Sequence, residues 1–108
     1  MKKSDDLPKV TGLQFLIIET IGAKKMRGAE LRELLRKEHR VTKTGPAFYQ
    51  LMARLEEAKM VEGWYEQEVI DGQIIKQRHY RVTGLGESTR RATTEFYAQF
   101  SQGRAAYA

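Results

Sequence analysis

The sequence predicts a mainly α fold with a small β-hairpin, in the order α-α-α-β-β-α. Three observations lead there. Apolar residues recur at helical spacing in three segments before residue 58. Two β-rich runs, 61–70 and 73–82, are separated only by Asp71-Gly72, a strong hairpin signal. Helical spacing then resumes after Thr83. Two helices joined by a tight connection and followed by a projecting hairpin form the plan of a winged helix-turn-helix.

Residues 1–10 are polar, contain Pro8 and show no period, and are expected to form a flexible arm. Thr11 and Gln14 have capping-box spacing, so a first helix should run from there to about Gly22. Leu13, Leu16, Ile17 and Ile21 form one apolar stripe, and Phe15 and Ile18 form another. A helix apolar on two faces is sandwiched between layers, and in so short a chain the second layer is open to another subunit. Residues 27–39 predict a shorter helix with Leu31, Leu34 and Leu35 facing inward. After the connection 40–44, Thr44 can cap a third helix and Pro46 suits its first turn. Phe48, Leu51, Met52 and Leu55 then fall at i, i+3, i+4 and i+7, a buried stripe.

A two-residue turn at Asp71-Gly72 pairs Val61 with Val82, Glu62 with Arg81, Gly63 with Tyr80 and Trp64 with His79. The cluster of Val61, Val82 and Tyr80 marks the base of the hairpin as its core end. The outer half reads as polar, with its tip in solvent or on a partner. Thr83-Gly-Leu-Gly86 opens the last helix, which should reach about Gln99 with Leu85, Ala92, Phe96, Tyr97 and Phe100 along it. Residues 101–108 are expected to fray.

The chain has 108 residues, 41% of them hydrophobic and 31% charged, a globular balance for one domain. No apolar run approaches the ~18 residues of a membrane span. The opening Met1-Lys-Lys-Ser-Asp-Asp has no apolar stretch behind it, so no secretory leader is expected and the reading is cytoplasmic. Cysteine is absent, which excludes disulfides, thiolate metal sites and cysteine nucleophiles. A core this small gains from oligomerisation.

Charge falls in blocks. Residues 24–43 net +5, residues 56–71 net −5 and residues 76–91 net +4. A basic block points to a polyanion, most simply nucleic acid, with a solvated and locally paired helix face as the alternative. The acidic block must face a positive surface, on the same chain or on a second copy.

Nothing points to an enzyme, a metal or a cofactor. The two histidines, His39 and His79, lie far apart with no metal-ligand spacing around them. Glu66 and Glu68 share a strand face but read as solvated carboxylates. Gly84-x-Gly86 lacks the rest of a phosphate-cradling motif and suits close packing of hairpin and last helix instead.

Tyr49-Gln-Leu-Met-Ala-Arg-Leu-Glu56, followed by Met60-Val61, resembles the recognition-helix signature of PadR-like transcriptional regulators. Tyr80-Arg-Val-Thr83 followed by Gly86 resembles that family's Tyr-x-Leu-Thr-x-x-Gly ending of the wing. The resemblance spans roughly residues 11–100. It implies a winged-helix DNA-binding domain over 11–83 and a dimerisation helix with a frayed tail over 84–108. It implies a repressor that binds double-stranded DNA as a homodimer, with helix 45–58 in the major groove of a palindromic operator and the wing near the minor groove. For some members it also implies a small aromatic effector near the dimer interface. Two positions depart from the pattern. Arg27-Gly28-Ala29 stands where His-Gly-Tyr often opens the second helix, and Lys59 replaces the glycine that usually closes the recognition helix, so that cap should be made differently.

Site residues follow. Tyr49 and Gln50 lie off the buried stripe; glutamine can bond adenine in two places and the tyrosine hydroxyl can reach a phosphate. Lys43, Thr44 and Pro46, at the helix N-terminus, suit backbone contacts. Arg54 on the flank could touch phosphate or pair with a glutamate. In the wing, Gln73 at the tip and Lys76 are the candidates, with Arg78 on the Lys76 face. Glu66, Glu68 and Asp71 nearby should repel phosphate. Trp64 opposite His79 suggests a cross-strand stack, or else a partner surface. Phe15, Ile18, Ala92, Phe96, Tyr97 and Phe100 form the expected dimer face; Phe15, Phe96 and Phe100 lining an effector pocket is the lesser alternative. The competing overall reading is a winged-helix protein-interaction module that uses the acidic hairpin and Trp64, with DNA binding incidental. A hydrolase using the hairpin carboxylates is a remote third.

Overall fold

The computed structural model describes the backbone of residues 9–107 and the side chains of residues 9–100. In chain order it has α1 (Gly12–Ile21), β1 (Met26–Arg27), α2 (Gly28–His39), α3 (Gly45–Glu57), β2 (Val61–Ile70), β3 (Gln73–Val82) and α4 (Gly84–Tyr107). This is a winged helix-turn-helix. Most of the expected arm, residues 1–8, lies outside the described residues. Val10, expected in that arm, packs into the core instead.

The capping box of α1 is formed. Thr11 Oγ1 accepts from the Gln14 N–H at 3.2 Å, and Gln14 Oε1 accepts from the Thr11 N–H at 3.0 Å. Helix α1 packs against α2, α4 and β3 of its own chain. Ile18 is only 1% exposed and belongs to the core with Ile17 and Ile21. That corrects the expectation that it faces a second subunit: α4 already occupies the second layer. Phe15 stays partly open.

The hairpin keeps the expected register from Val61 opposite Val82 out to Ile70 opposite Gln73. Asp71 and Gly72 both have positive φ, +52° and +78°, as a tight turn of this hand requires. Sequence periodicity gives no sign of β1, since two residues carry no period. It pairs Met26 with Tyr80 and Arg27 with His79, so the sheet order is β1-β3-β2. Tyr80 and Val61 seat the sheet on Leu31, Leu35, Phe48, Met52 and Leu55, all buried. The outer half of the hairpin is not polar as expected. Val69 and Ile74, a cross-strand pair, are 73% and 71% exposed.

The close of α3 corrects a second expectation. Lys59 takes the left-handed turn that a glycine would take, with φ +64°, while the Lys59 N–H bonds the Glu56 carbonyl and the Met60 N–H bonds the Leu55 carbonyl, both at 2.9 Å. The cap is the usual one, carried by a side chain that strains it. Just beyond it the chain folds back on itself. The Thr83 hydroxyl donates to the Lys59 carbonyl at 2.6 Å, with the Met60 carbonyl at 3.1 Å, and accepts from the Gly86 N–H at 2.9 Å. A Cβ on Gly86 would overlap the Met60 carbonyl oxygen, whereas one on Gly84 would meet open space. Of the two glycines, Gly86 is the one that lets α4 approach α3.

The last helix continues to Tyr107 rather than stopping near Gln99. Gln102, Arg104, Ala105 and Ala106 are good helix formers and account for the extension. Buried Thr89 and Thr93 lie on its inner face. Arg90 ties it to α1, with Nη1 3.0 Å from Glu19, and also grips Glu87 through two bonds of 3.0 and 2.8 Å. Those Arg90 hydrogen bonds hold the Glu87 carboxyl down to about 2 from an ordinary 4.5.

Two measurements check this account. Replacing Lys59 with Gly should raise unfolding free energy by about 0.5–1 kcal/mol in urea titrations, since the relief of left-handed strain exceeds glycine's added chain entropy. A carboxyl depressed in the folded state stabilises above its unfolded pKa and loses that contribution as pH falls toward the folded one. Wild-type stability should therefore decline between about pH 4.5 and 2, and Glu87→Gln should flatten that part of the curve.

Candidate nucleic-acid interface

The outward side of α3 carries Pro46, Gln50, Ala53, Arg54 and Glu57, all exposed. Thr44 caps the helix by accepting from the Ala47 N–H at 3.3 Å, and Pro46 sits in its first turn. Pro46 has no N–H, the Ala47 N–H is taken by Thr44 and the Phe48 N–H bonds the Thr44 carbonyl. Gly45, next to Lys43, therefore carries the one uncapped N–H of the first turn, at the end of the helix that favours an anion. Arg32 on α2 pins the connection, donating from Nε to the Lys43 carbonyl at 2.9 Å. Arg32, Arg36, Thr42, Lys43 and Tyr49 line a depression of about 300 Å³ together with Ala29 and Glu33. Sequence reasoning passed over Arg32; its signal was membership of the basic block on the polar side of α2.

Tyr49 is more constrained than its sequence position suggests. Its ring stands edge-on to Phe48 at 4.9 Å. A Cβ on Gly28 would lie 2.9 Å from both the Tyr49 ring and its hydroxyl. Gly28 is therefore the floor on which Tyr49 rests, and Tyr49 offers one edge outward while bracing α3 against α2. Gln50 beside it is exposed. Arg54 makes no ion pair with any described residue.

The wing separates its charges by face. Glu62, Glu66 and Glu68 lie on the face away from α3, with Trp64, His79 and Arg81. Lys25 bonds Glu66 at 2.8 Å, Arg81 bonds Glu62 at 2.7 Å, and Glu68 lies 4.0 Å from Arg27 and 3.3 Å from His79 Nε2. Hydrogen bonds from Lys25, then from Trp64 Nε1, hold the Glu66 carboxyl below its usual range. Glu62, Glu66 and Glu68 thus meet cations of their own chain on the face away from α3, whereas Glu57 on the outward side of α3 and Asp71 at the wing tip are exposed and make no ion pair among the described residues. Trp64 stacks on His79 at 6.1 Å with planes 18° apart, the cross-strand stack rather than an open partner surface.

The face toward α3 carries Tyr65, Gln67 and Val69 opposite Arg78, Lys76 and Ile74. Lys76 and Gln73 are exposed, and Lys76 Nζ lies 5.7 Å from the Tyr65 ring. Arg78 is held inward, 2.7 Å from Glu56 on α3. Burial opposes its charge, but hydrogen bonding to Tyr80 and the neighbouring Glu56 outweigh that and push the guanidinium pKa up.

On α4, Phe96 and Phe100 meet edge-on at 4.9 Å, and Tyr97 and Phe100 are 51% and 59% exposed. With exposed Ala92 they leave an aromatic strip in the open. Phe15 lines a groove of about 740 Å³ between α1 and α2 with Leu16, Met26 and Leu34, and neither Phe96 nor Phe100 reaches it. The three phenylalanines do not share one pocket. Among the described residues no group of three His, Asp or Glu side chains is placed to hold a metal, and no helix is long and apolar enough to cross a membrane.

No protein-family model matches the sequence, and a search of the curated proteins finds no match. Solved structures do match. A PadR-like transcriptional regulator from Bacillus cereus is 20% identical, with 88% of this chain and 89% of that one covered and a TM-score of 0.71. A PadR family transcription regulator from Clostridium difficile is 16% identical, with 90% and 98% covered and a TM-score of 0.73. A PadR-like transcription factor from Bacteroides fragilis is 20% identical, with 89% of each chain covered and a TM-score of 0.71. The chain has the winged-helix fold of PadR-like regulators over nearly its whole length, the fold that the Tyr49–Glu56 and Tyr80–Gly86 segments suggested.

The brace under α3 can be tested directly. Gly28→Ala should cost about 1–3 kcal/mol in urea unfolding, because it overpacks the Tyr49 ring. In a Tyr49→Ala background the same substitution should cost clearly less.

Proposed function

We propose that this chain is a sequence-specific DNA-binding transcriptional regulator, a cytoplasmic repressor that occupies a palindromic operator as a homodimer. One observation carries the reading. The exposed side of α3 presents Gln50 and Arg54, with Arg32 and Lys43 lining the depression next to Tyr49, while Glu62 and Glu66 of the wing are turned away and paired within the chain. The solved regulators with this fold support it.

In this mechanism α3 enters the major groove. Gln50 reads a base edge, and Tyr49, fixed on Gly28, reaches toward the backbone at its outer edge. Lys43, Thr44 and the helix N-terminus hold phosphates, with Pro46 keeping the first turn close to them. Lys76 and Gln73 meet the duplex from the wing. Phe96, Tyr97, Phe100 and Ala92, helped by Phe15, bury against a second copy and set the two α3 helices about one DNA turn apart. Occupation of the site then blocks transcription sterically. A small aromatic effector acts by changing the distance between the two reading helices.

The second reading, a protein-interaction module, draws on the exposed Val69 and Ile74. Selection of bound duplexes from a random pool separates the two. The repressor reading expects an enriched inverted repeat, and Gln50→Ala should lose about 1–3 kcal/mol of discrimination at one base pair per half-site. A pool that stays random would contradict it and favour the interaction module.

A further inference from the structure

We propose that Arg78 and Glu56 form a strut that sets the angle between α3 and the wing, and so positions Lys76 on the duplex that α3 reads. This rests on the DNA-binding reading. Glu56 lies in the last turn of α3, and its Oε1 accepts from Arg78 Nη2 at 2.7 Å with both side chains largely covered. The Arg78 guanidinium also lies 4.8 Å from the Tyr65 ring and 5.7 Å from the Tyr80 ring. A planar cation held by a carboxylate and two rings has one orientation, which a lysine could not reproduce.

The backbone leaves room for this strut. A Cβ on Gly63 would stand 2.7 Å from Glu56 Oε1 and 2.8 Å from Arg78 Nη2. The opposite face of the wing is tethered by Lys25 to Glu66 and by the approach of Arg27 to Glu68. The wing is thus held from both sides, and Glu56–Arg78 is the tie to the reading helix. Lys76 lies two residues from Arg78 on the same strand face, so any tilt at Arg78 carries Lys76 with it. Arg78 and Glu56 act here as positioning residues.

The test is the salt dependence of binding to the selected duplex. Gly63→Ala keeps every charge but pushes the strut apart. The slope of log K against log salt should become shallower by about 0.9, the value of one phosphate contact. Lys76→Gln should give the same change, and the two together no more than either alone. Glu56→Gln provides a second arm: if Glu56 merely repelled DNA, its neutralisation would tighten binding, whereas loss of the strut weakens it and flattens the slope. Urea midpoints for each variant show that the folded protein is being compared. Unchanged slopes in Gly63→Ala and Glu56→Gln, or additive effects with Lys76→Gln, overturn the strut. Absence of any specific binding by the wild type overturns instead the DNA reading on which it stands.

Discussion

The rest of the structure hangs on one crowded joint, where Thr83 bonds the Lys59 and Met60 carbonyls and Gly86 passes with no room for a side chain. Three elements meet there: the end of α3, the base of the wing and the start of α4. The direction of each depends on that contact. If the joint moves, the reading helix, the wing and the aromatic strip of α4 lose their mutual geometry together. The Thr83 hydroxyl donates to the Lys59 carbonyl and accepts from the Gly86 N–H, while the Thr83 N–H donates to the Met60 carbonyl. Groups paired this densely are costly to leave half-paired, which makes the joint rigid.

Charge placement is the second organising constraint. The sequence has two basic blocks and one acidic block, and the fold decides which of their charges meet solvent. Strand alternation sends Glu62, Glu66 and Glu68 to one face, where Arg81 of β3 meets Glu62, and Lys25 and Arg27, just before and within β1, meet Glu66 and Glu68. Lys43, Arg54 and Lys76 make no ion pair among the described residues. A chain of modest net charge thereby presents a locally positive surface.

How much of this could be read beforehand depended on the range of the interactions. Local signals were sufficient for the Thr11 and Thr44 caps, the Phe48–Leu55 stripe and the full register of the hairpin, because each rests on spacing within a few residues. The stack of Trp64 on His79 followed from that register. Long-range pairings were not legible. Strand β1 is two residues long and exists only because β3 offers an edge. Ile18 turned inward because α4, distant in sequence, supplies the second layer. Lys59 kept a glycine's conformation because the backbone bonds around it outweigh the strain. The pairing of Glu66 and Glu68 with Lys25 and Arg27 could not be read from the sequence, because the partners lie some forty residues away. The roles of Arg32, Glu56 and Arg78 likewise needed the meeting of separate elements.

The central claim is that α3 and the α3-facing side of the wing form one DNA-reading surface, presented twice by a dimer. Its most direct test is fluorescence anisotropy of the selected duplex beside a scrambled one, titrated with protein at near-physiological salt and above the dissociation constant to fix stoichiometry. The account expects saturation at two chains per duplex and a large preference for the selected sequence. Equal affinity for both duplexes, falling steeply and in parallel with salt, would leave only the phosphate attraction and contradict it.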